Sequence, residues 1–219
     1  MSTVVALGLL LTACASDEEE PPRVTAAQQC DGVLSSAAAG ALESTLGTKK
    51  FSEAGSGGLD RTVNELIEDQ AREGRPPGHR AMCEVTAAAT PKNEVRINFL
   101  LYEDADLYDD GTKWTAAGRH LYGIGREAST DNRSAYLFVR CTSPRLKGTD
   151  KQPARIESVL RFEKSSKGAY PANTPATREA YLTVLHSVTL AVVRKLGCEG
   201  DAGLPEKPVF AEKKWRGEQ

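Results

Sequence analysis

Three histidines, five cysteines and one dense run of carboxylates are the places in this chain where chemistry could reside. A metal site needs ligands that converge, most simply two histidines one helical turn apart. His79, His120 and His186 share no such spacing. His79 lies in a Gly/Pro stretch, His120 in a candidate strand and His186 among the polar positions of a candidate helix. Each reads as a solvated or core-edge histidine. Glu103-Asp104-Ala105-Asp106 with Asp109-Asp110-Gly111 carries the oxygens a hard cation prefers. An EF-hand loop begun at Asp104 would need a ligand and then a glycine where Tyr108 and Asp109 stand. Begun at Asp106, it places Gly111 correctly but puts Tyr108 and Ala117 at ligand positions. The cluster reads as a solvated turn. No G-x-S-x-G elbow is present, and Ser165-Ser166-Lys167 has no distinctive frame around it. Gly123-Ile124-Gly125 lacks the helix-opening third glycine of a dinucleotide site and reads as a turn. The expectation is no catalytic constellation, no cofactor and no metal.

Cys14 stands apart from the other cysteines. It ends Leu11-Thr12-Ala13-Cys14, which closes the apolar run over 4–11. That run has the length of a signal-peptide core and falls far short of the roughly 20 residues a transmembrane helix needs. The four residues resemble the lipobox of bacterial lipoproteins. The resemblance implies a diacylglyceryl thioether on the Cys14 sulfur, cleavage on its N-terminal side, and a signal peptide over residues 1–13. Two acyl chains anchor a protein stably without a spanning helix. Only Met1-Ser2-Thr3 precede the apolar run, without Lys or Arg, so the true translation start is expected upstream. Residues 14–29 include Asp17-Glu18-Glu19-Glu20-Pro21-Pro22, too polar to bury a core, and are expected to form a flexible tether. The protein is then expected on the outer face of the cytoplasmic membrane.

Export makes disulfides the natural state of the remaining four cysteines. Cys30, Cys83, Cys141 and Cys198 allow three pairings. Cys30–Cys83 with Cys141–Cys198 is favoured, one bridge in each half. Each would close a loop of roughly fifty-odd residues, for which the chain-entropy estimate is about 4 kcal/mol. A four-cysteine zinc site would bring ligands in close pairs, and no two cysteines here are close in sequence.

The elements that must position these groups follow from periodicity. A helix is expected over 35–46, capped by Ser35 or Ser36 and ended by Gly47. A second is expected over 59–72, with Asp60 as its N-cap. The period then changes to two. Val95, Ile97, Phe99 and Leu101 alternate with polar residues over 94–103, as do Ile156, Leu160 and Phe162 over 155–163, and Leu137, Val139 and Cys141 over 136–141. Weaker strands are expected over 81–89 and 119–126. The last element has Thr174 as N-cap, Pro175 at the first helical position, and a broad apolar face of Tyr181, Val184, Leu185, Val188, Ala191, Val192 and Leu196. Gly197 can take the left-handed cap. The expected fold is α+β: a twisted antiparallel sheet of about five strands, with two N-terminal helices and one long C-terminal helix packed on it. One domain covers 30–198. A polar tail follows over 199–219, either disordered or docked through Val209-Phe210 and Trp215.

The Cys-Asp-x-Val-Leu-Ser opening at Cys30, the cysteine in the first strand and the closing Lys-Leu-Gly-Cys at Cys198 resemble surface lipoproteins of unknown function from high-GC Gram-positive bacteria. Some of those are similar to the PsbP/Mog1 sandwich. The resemblance spans roughly residues 30 to 198 and brings no catalytic residues with it. Net charge is −2, from 28 basic and 30 acidic residues, which argues against a nucleic-acid binder. The expected function is a membrane-anchored, non-enzymatic binding module of the envelope, with another envelope protein, a peptide or a lipid as partner. The alternative is an envelope hydrolase or modifying enzyme whose site assembles only in the fold. A deep pocket holding His120 or His186 beside a carboxylate would favour the enzyme; a shallow apolar groove without titratable groups would favour binding.

Overall fold

The computed structural model describes residues 23–52, 57–72, 78–88, 92–107, 118–147 and 152–214. Cys14, the expected signal peptide and most of the tether lie outside these residues, as do Asp109-Asp110-Gly111 and Trp215. In chain order the elements are β1 (Arg23–Val24), α1 (Ser36–Leu46), β2 (Phe51–Ser52), α2 (Leu59–Ala71), β3 (Arg80–Thr86), β4 (Glu94–Leu101), β5 (His120–Tyr122), β6 (Glu127–Thr130), β7 (Ser134–Cys141), β8 (Ala154–Glu163), α3 (Pro175–Leu196) and β9 (Glu212–Lys213).

The fold is α+β. Seven strands form one antiparallel sheet in the order β3-β4-β8-β7-β6-β5-β9, and β1 pairs with β2 separately. The expected five strands become seven for two reasons. The stretch over 119–126 breaks at Gly123-Ile124-Gly125 and resumes as β6, where Gly125 has φ +61° and any Cβ would lie 2.6 Å from the Phe138 carbonyl oxygen. The tail supplies the other, β9. All three helices lie on one face. α3 packs on β6, β7 and β8; α2 packs on β3, β4 and α3; α1 lies on α3.

Local chemistry explains the helix ends. Ser35 Oγ accepts the Ala38 N–H, and Gly47 closes α1 in the left-handed region. Asp60 does not cap α2. The Leu59 N–H instead donates to Asp31 Oδ2 at 2.6 Å, a cap delivered from 28 residues upstream. Gly58 makes room for it, since a Cβ there would stand 2.7 Å from the same oxygen. Thr174 Oγ1 accepts from Thr177 N at the start of α3. At its end Cys198 N–H bonds Val193 O and Gly197 N–H bonds Arg194 O, the paired bonds of a Schellman stop.

α3 departs from the expected one-sided amphipathic helix. Thirteen of its 22 residues are buried, including His186, Ser187 and Thr189. The reason is that it is sandwiched. Thr189 meets Ser158 of β8 at 2.7 Å on the sheet side, and Ser187 meets the start of α1 on the other. The chain also folds further out than expected at both ends. The last seven residues of the expected tether are ordered, because Arg23–Val24 pairs with Phe51–Ser52 and Ala26 and Gln29 are fully buried. Beyond α3, residues 199–214 form a docked strap. Leu204 is buried, Phe210 meets the Tyr122 ring edge-on at 6.4 Å, and β9 pairs with β5. Val209 stays 69% exposed, so of the expected Val209-Phe210 pair only the phenylalanine docks.

Candidate functional site

The structure joins Cys30 to Cys83 and Cys141 to Cys198, each with Cα atoms 5.0 Å apart. The first bridge ties the turn before α1 to β3. The second ties the end of β7 to the end of α3, where the strap begins. The remaining sequence candidates scatter. His79 is exposed. His120 Nδ1 contacts the Glu212 carboxylate and pins the strap's far end to β5. Asp104 lies between Arg140 (3.1 Å) and Arg155 (2.9 Å). Burial would raise its pKa, but the two guanidinium groups outweigh that and hold it below the usual carboxylate range. Asp106 accepts the Glu103 N–H. Among the described residues no three His, Cys, Asp or Glu side chains converge as a metal site would require. Ser165-Ser166-Lys167 is a turn held by Asn93.

The feature that does converge is a cavity of about 860 Å³ on the helix side. Its walls are the first turn of α1 with the residues before it (Val33 to Ala37), one side of α3, and the strap at Glu206, Lys207, Pro208 and Phe210. Each wall has a local cause. Ser187 Oγ accepts the Ser35 N–H at 2.9 Å and donates to the Val33 carbonyl at 3.1 Å, clamping the start of α1 to α3. The Cys141–Cys198 bridge and the Glu199 N–H to Thr142 O bond fix the strap's root. Its far end is held by β9 and by the Gly123 N–H bond to Ala211 O.

Polar groups at the cavity are few. Arg194 bonds Asp201 through Nε (3.0 Å) and Nη2 (2.9 Å) and also contacts Glu206, so the Glu206 carboxylate is engaged. Both carboxylates push the Arg194 pKa further up. His186 is 2% exposed, and its Nε2 has no hydrogen-bond partner among the described residues. Burial pushes its pKa below the usual value, with the Pro205 carbonyl and Glu206 pulling weakly the other way and Arg194 adding to the depression. Burial thus favours the neutral imidazole.

This cavity matches neither sequence criterion in full. It holds His186, as an enzyme's would. Yet Glu206 is bonded to Arg194, Ser187 is committed at both ends, and Ser35 caps α1. No nucleophile–base–carboxylate relay is assembled among these groups. What the arrangement can do is enclose an apolar body beside a wall that contains one partnerless buried nitrogen. Val33, Ser36, Leu190, Arg194 and Lys207 carry no sequence signal for this role, because they come together only across three separated segments. Phe210 had one: an aromatic residue in a polar tail needs somewhere to go.

No family model, curated protein or solved structure matches the chain. Among the described residues no helix is long and apolar enough to cross a membrane.

Proposed function

We propose that this protein is a lipid-anchored binding module on the outer face of the cytoplasmic membrane, holding a ligand in the α1–α3–strap cavity without transforming it. The cavity carries the reading. Its size falls within the ordinary range of small-molecule sites, and its one partnerless buried group, His186 Nε2, lacks the neighbours that catalysis would need. The address rests on the lipobox-like Leu11-Thr12-Ala13-Cys14. Two disulfides suit an oxidising compartment. An envelope hydrolase has one observation on its side, the presence of His186 in the cavity, and no activated nucleophile to go with it.

Two measurements test this. Mass spectrometry of protein from native membranes is expected to find a diacylglyceryl thioether at a terminal Cys14; an unmodified Cys14 with residues 1–13 still attached removes the anchoring. A photo-crosslinking residue placed at Ala191, on the cavity wall, is expected to capture a small molecule from intact membranes. Capture of nothing there removes the binding role.

A further inference from the structure

We infer that the cavity takes a single-chain amphiphile with an anionic head, such as a long-chain carboxylate, the head resting at the first turn of α1 and the chain running between α3 and Phe210. This rests on the binding role proposed above and names the ligand class. Three independent features point to it. The body of the cavity is apolar, with Val33, Leu34, Leu190, Ala191, Pro208 and Phe210 supplying its walls. An acyl chain fits such walls better than a sugar or peptide, which would need many paired polar groups.

The second feature is the helix start. Ser36 and Ala37 occupy the first two positions of the 11-residue α1, where backbone N–H groups have no acceptor within the helix. These N–H groups and the helix dipole favour negative charge. The Ser35 hydroxyl serves Ala38 and leaves those two N–H groups to a ligand. Among the charged lining residues, Arg194 and Glu206 are committed to one another, with Asp201 on the same guanidinium. Lys207 has no ion-pair partner among the described residues, whereas Arg194 is already bound. The third feature is His186, whose Nε2 is buried and without a partner in the wall of the same cavity. With its other nitrogen towards the Pro205 carbonyl, the neutral ring presents Nε2 as an acceptor, which serves the protonated form of a carboxyl head.

The anchoring geometry supplies the source. Arg23, the first described residue, lies nine residues after Cys14. Even fully extended, nine residues reach only about 30 Å. A domain tethered so closely works beside a reservoir of acyl amphiphiles.

The test uses the full chain carrying Cys14→Ser, so that no acyl group of its own competes, with a fluorescent stearate analogue as probe below its micelle concentration. Saturable one-to-one binding is expected. Palmitate should displace the probe at least ten times better than hexadecanol or hexadecyltrimethylammonium. Ala191→Trp and Ala37→Trp, which put an indole into the cavity from opposite walls, should each abolish binding while circular dichroism and both disulfides stay intact; either one suffices if the other misfolds. Lys207→Glu should weaken palmitate about tenfold and leave hexadecanol unchanged. Equal displacement by all three heads, with the tryptophan block intact, overturns the anionic head and leaves the binding role standing. Stearate binding that both folded tryptophan variants retain overturns the site. No binding by any of the three amphiphiles overturns the ligand class, and the crosslink at position 191 then decides the binding role separately.

Discussion

Along β8, alternate residues meet two different environments. Ile156, Leu160 and Phe162 face α3 and are buried in the main core, whereas Arg155, Arg161 and Glu163 point to the far side of the sheet. β7 repeats the division, with Ala135, Leu137 and Val139 on the helix side and Ser134, Tyr136 and Arg140 opposite. The helix side is held mainly by apolar contact. Among the described residues the far side carries a smaller apolar cluster of Tyr102, Leu107 and Phe138, with Tyr136 against it, the buried Leu121 and Val159 in the same register row as Tyr136, and paired charges: Arg119 with Asp131, and Asp104 with Arg140 and Arg155. Apolar burial is non-directional and scales with area. A charge pair contributes according to how far water is excluded. The two sides should therefore respond to mutation differently, one in proportion to volume removed and the other pair by pair.

The largest effect is expected at Phe99→Ala, which empties a fully buried position on the helix side. A loss of about 3–5 kcal/mol in urea unfolding fits such a cavity; a loss under about 1 kcal/mol would erase the contrast. Next is Asp131→Ala on the far side. It removes a carboxylate 2.6 Å from an Arg119 side chain that is 6% exposed, together with its bonds to the Arg133 and Ser134 N–H groups. About 2–3 kcal/mol is expected, and Asp131→Asn, which can keep the turn bonds, should recover part of it.

A pH titration probes the helix side. Burial sets the His186 pKa in the folded chain below its unfolded value of about 6.5. Unfolding therefore takes up a proton as the pH falls below about 6.5. The contribution from a neutral His186 is present above that pH and is lost as the pH drops towards the folded value. His186→Leu should remove that part of the acid slope, at most about 1.4 kcal/mol per pH unit; an unchanged slope between pH 7 and 5 contradicts it. The smallest effect is expected at Asp104→Asn. Both arginines and the carboxylate are around 40% exposed, so solvent screening limits the loss to about 1 kcal/mol or less. It should fade at about 1 M salt, where the Debye length is near 3 Å.

What could be read from the chain alone followed the same division between local and distant causes. The ends of α1 and α3 were legible because Ser35, Gly47, Thr174 and Gly197 act within a few residues of themselves. The long strands were legible because alternation survives wherever one side is buried. The α2 cap was not, since Asp31 reaches it from another segment. Nor was β9, two residues long and held from elsewhere by His120 on Glu212, the Gly123 N–H on Ala211 O and Phe210 on Tyr122. The burial of His186 was hidden too. Its neighbours Ser187 and Thr189 mark a polar stripe by composition, and nothing local records that α1 and the strap cover that stripe. The cavity shares this cause: each wall is an ordinary sequence, and only their meeting makes a site.

Both rims of the sheet are occupied. Beside β3 run the Phe51–Ala87 bridge and the bonds from Gly58 N to Met82 O and from Ala88 N to Lys50 O. Beside β5 runs Glu212–Lys213. Among the described residues these contacts pair much of the outer side of β3 and of β5, which limits where an incoming strand could zip on. Removing the chain from Glu212 onward would uncover β5 and turn a guarded border into a sticky one.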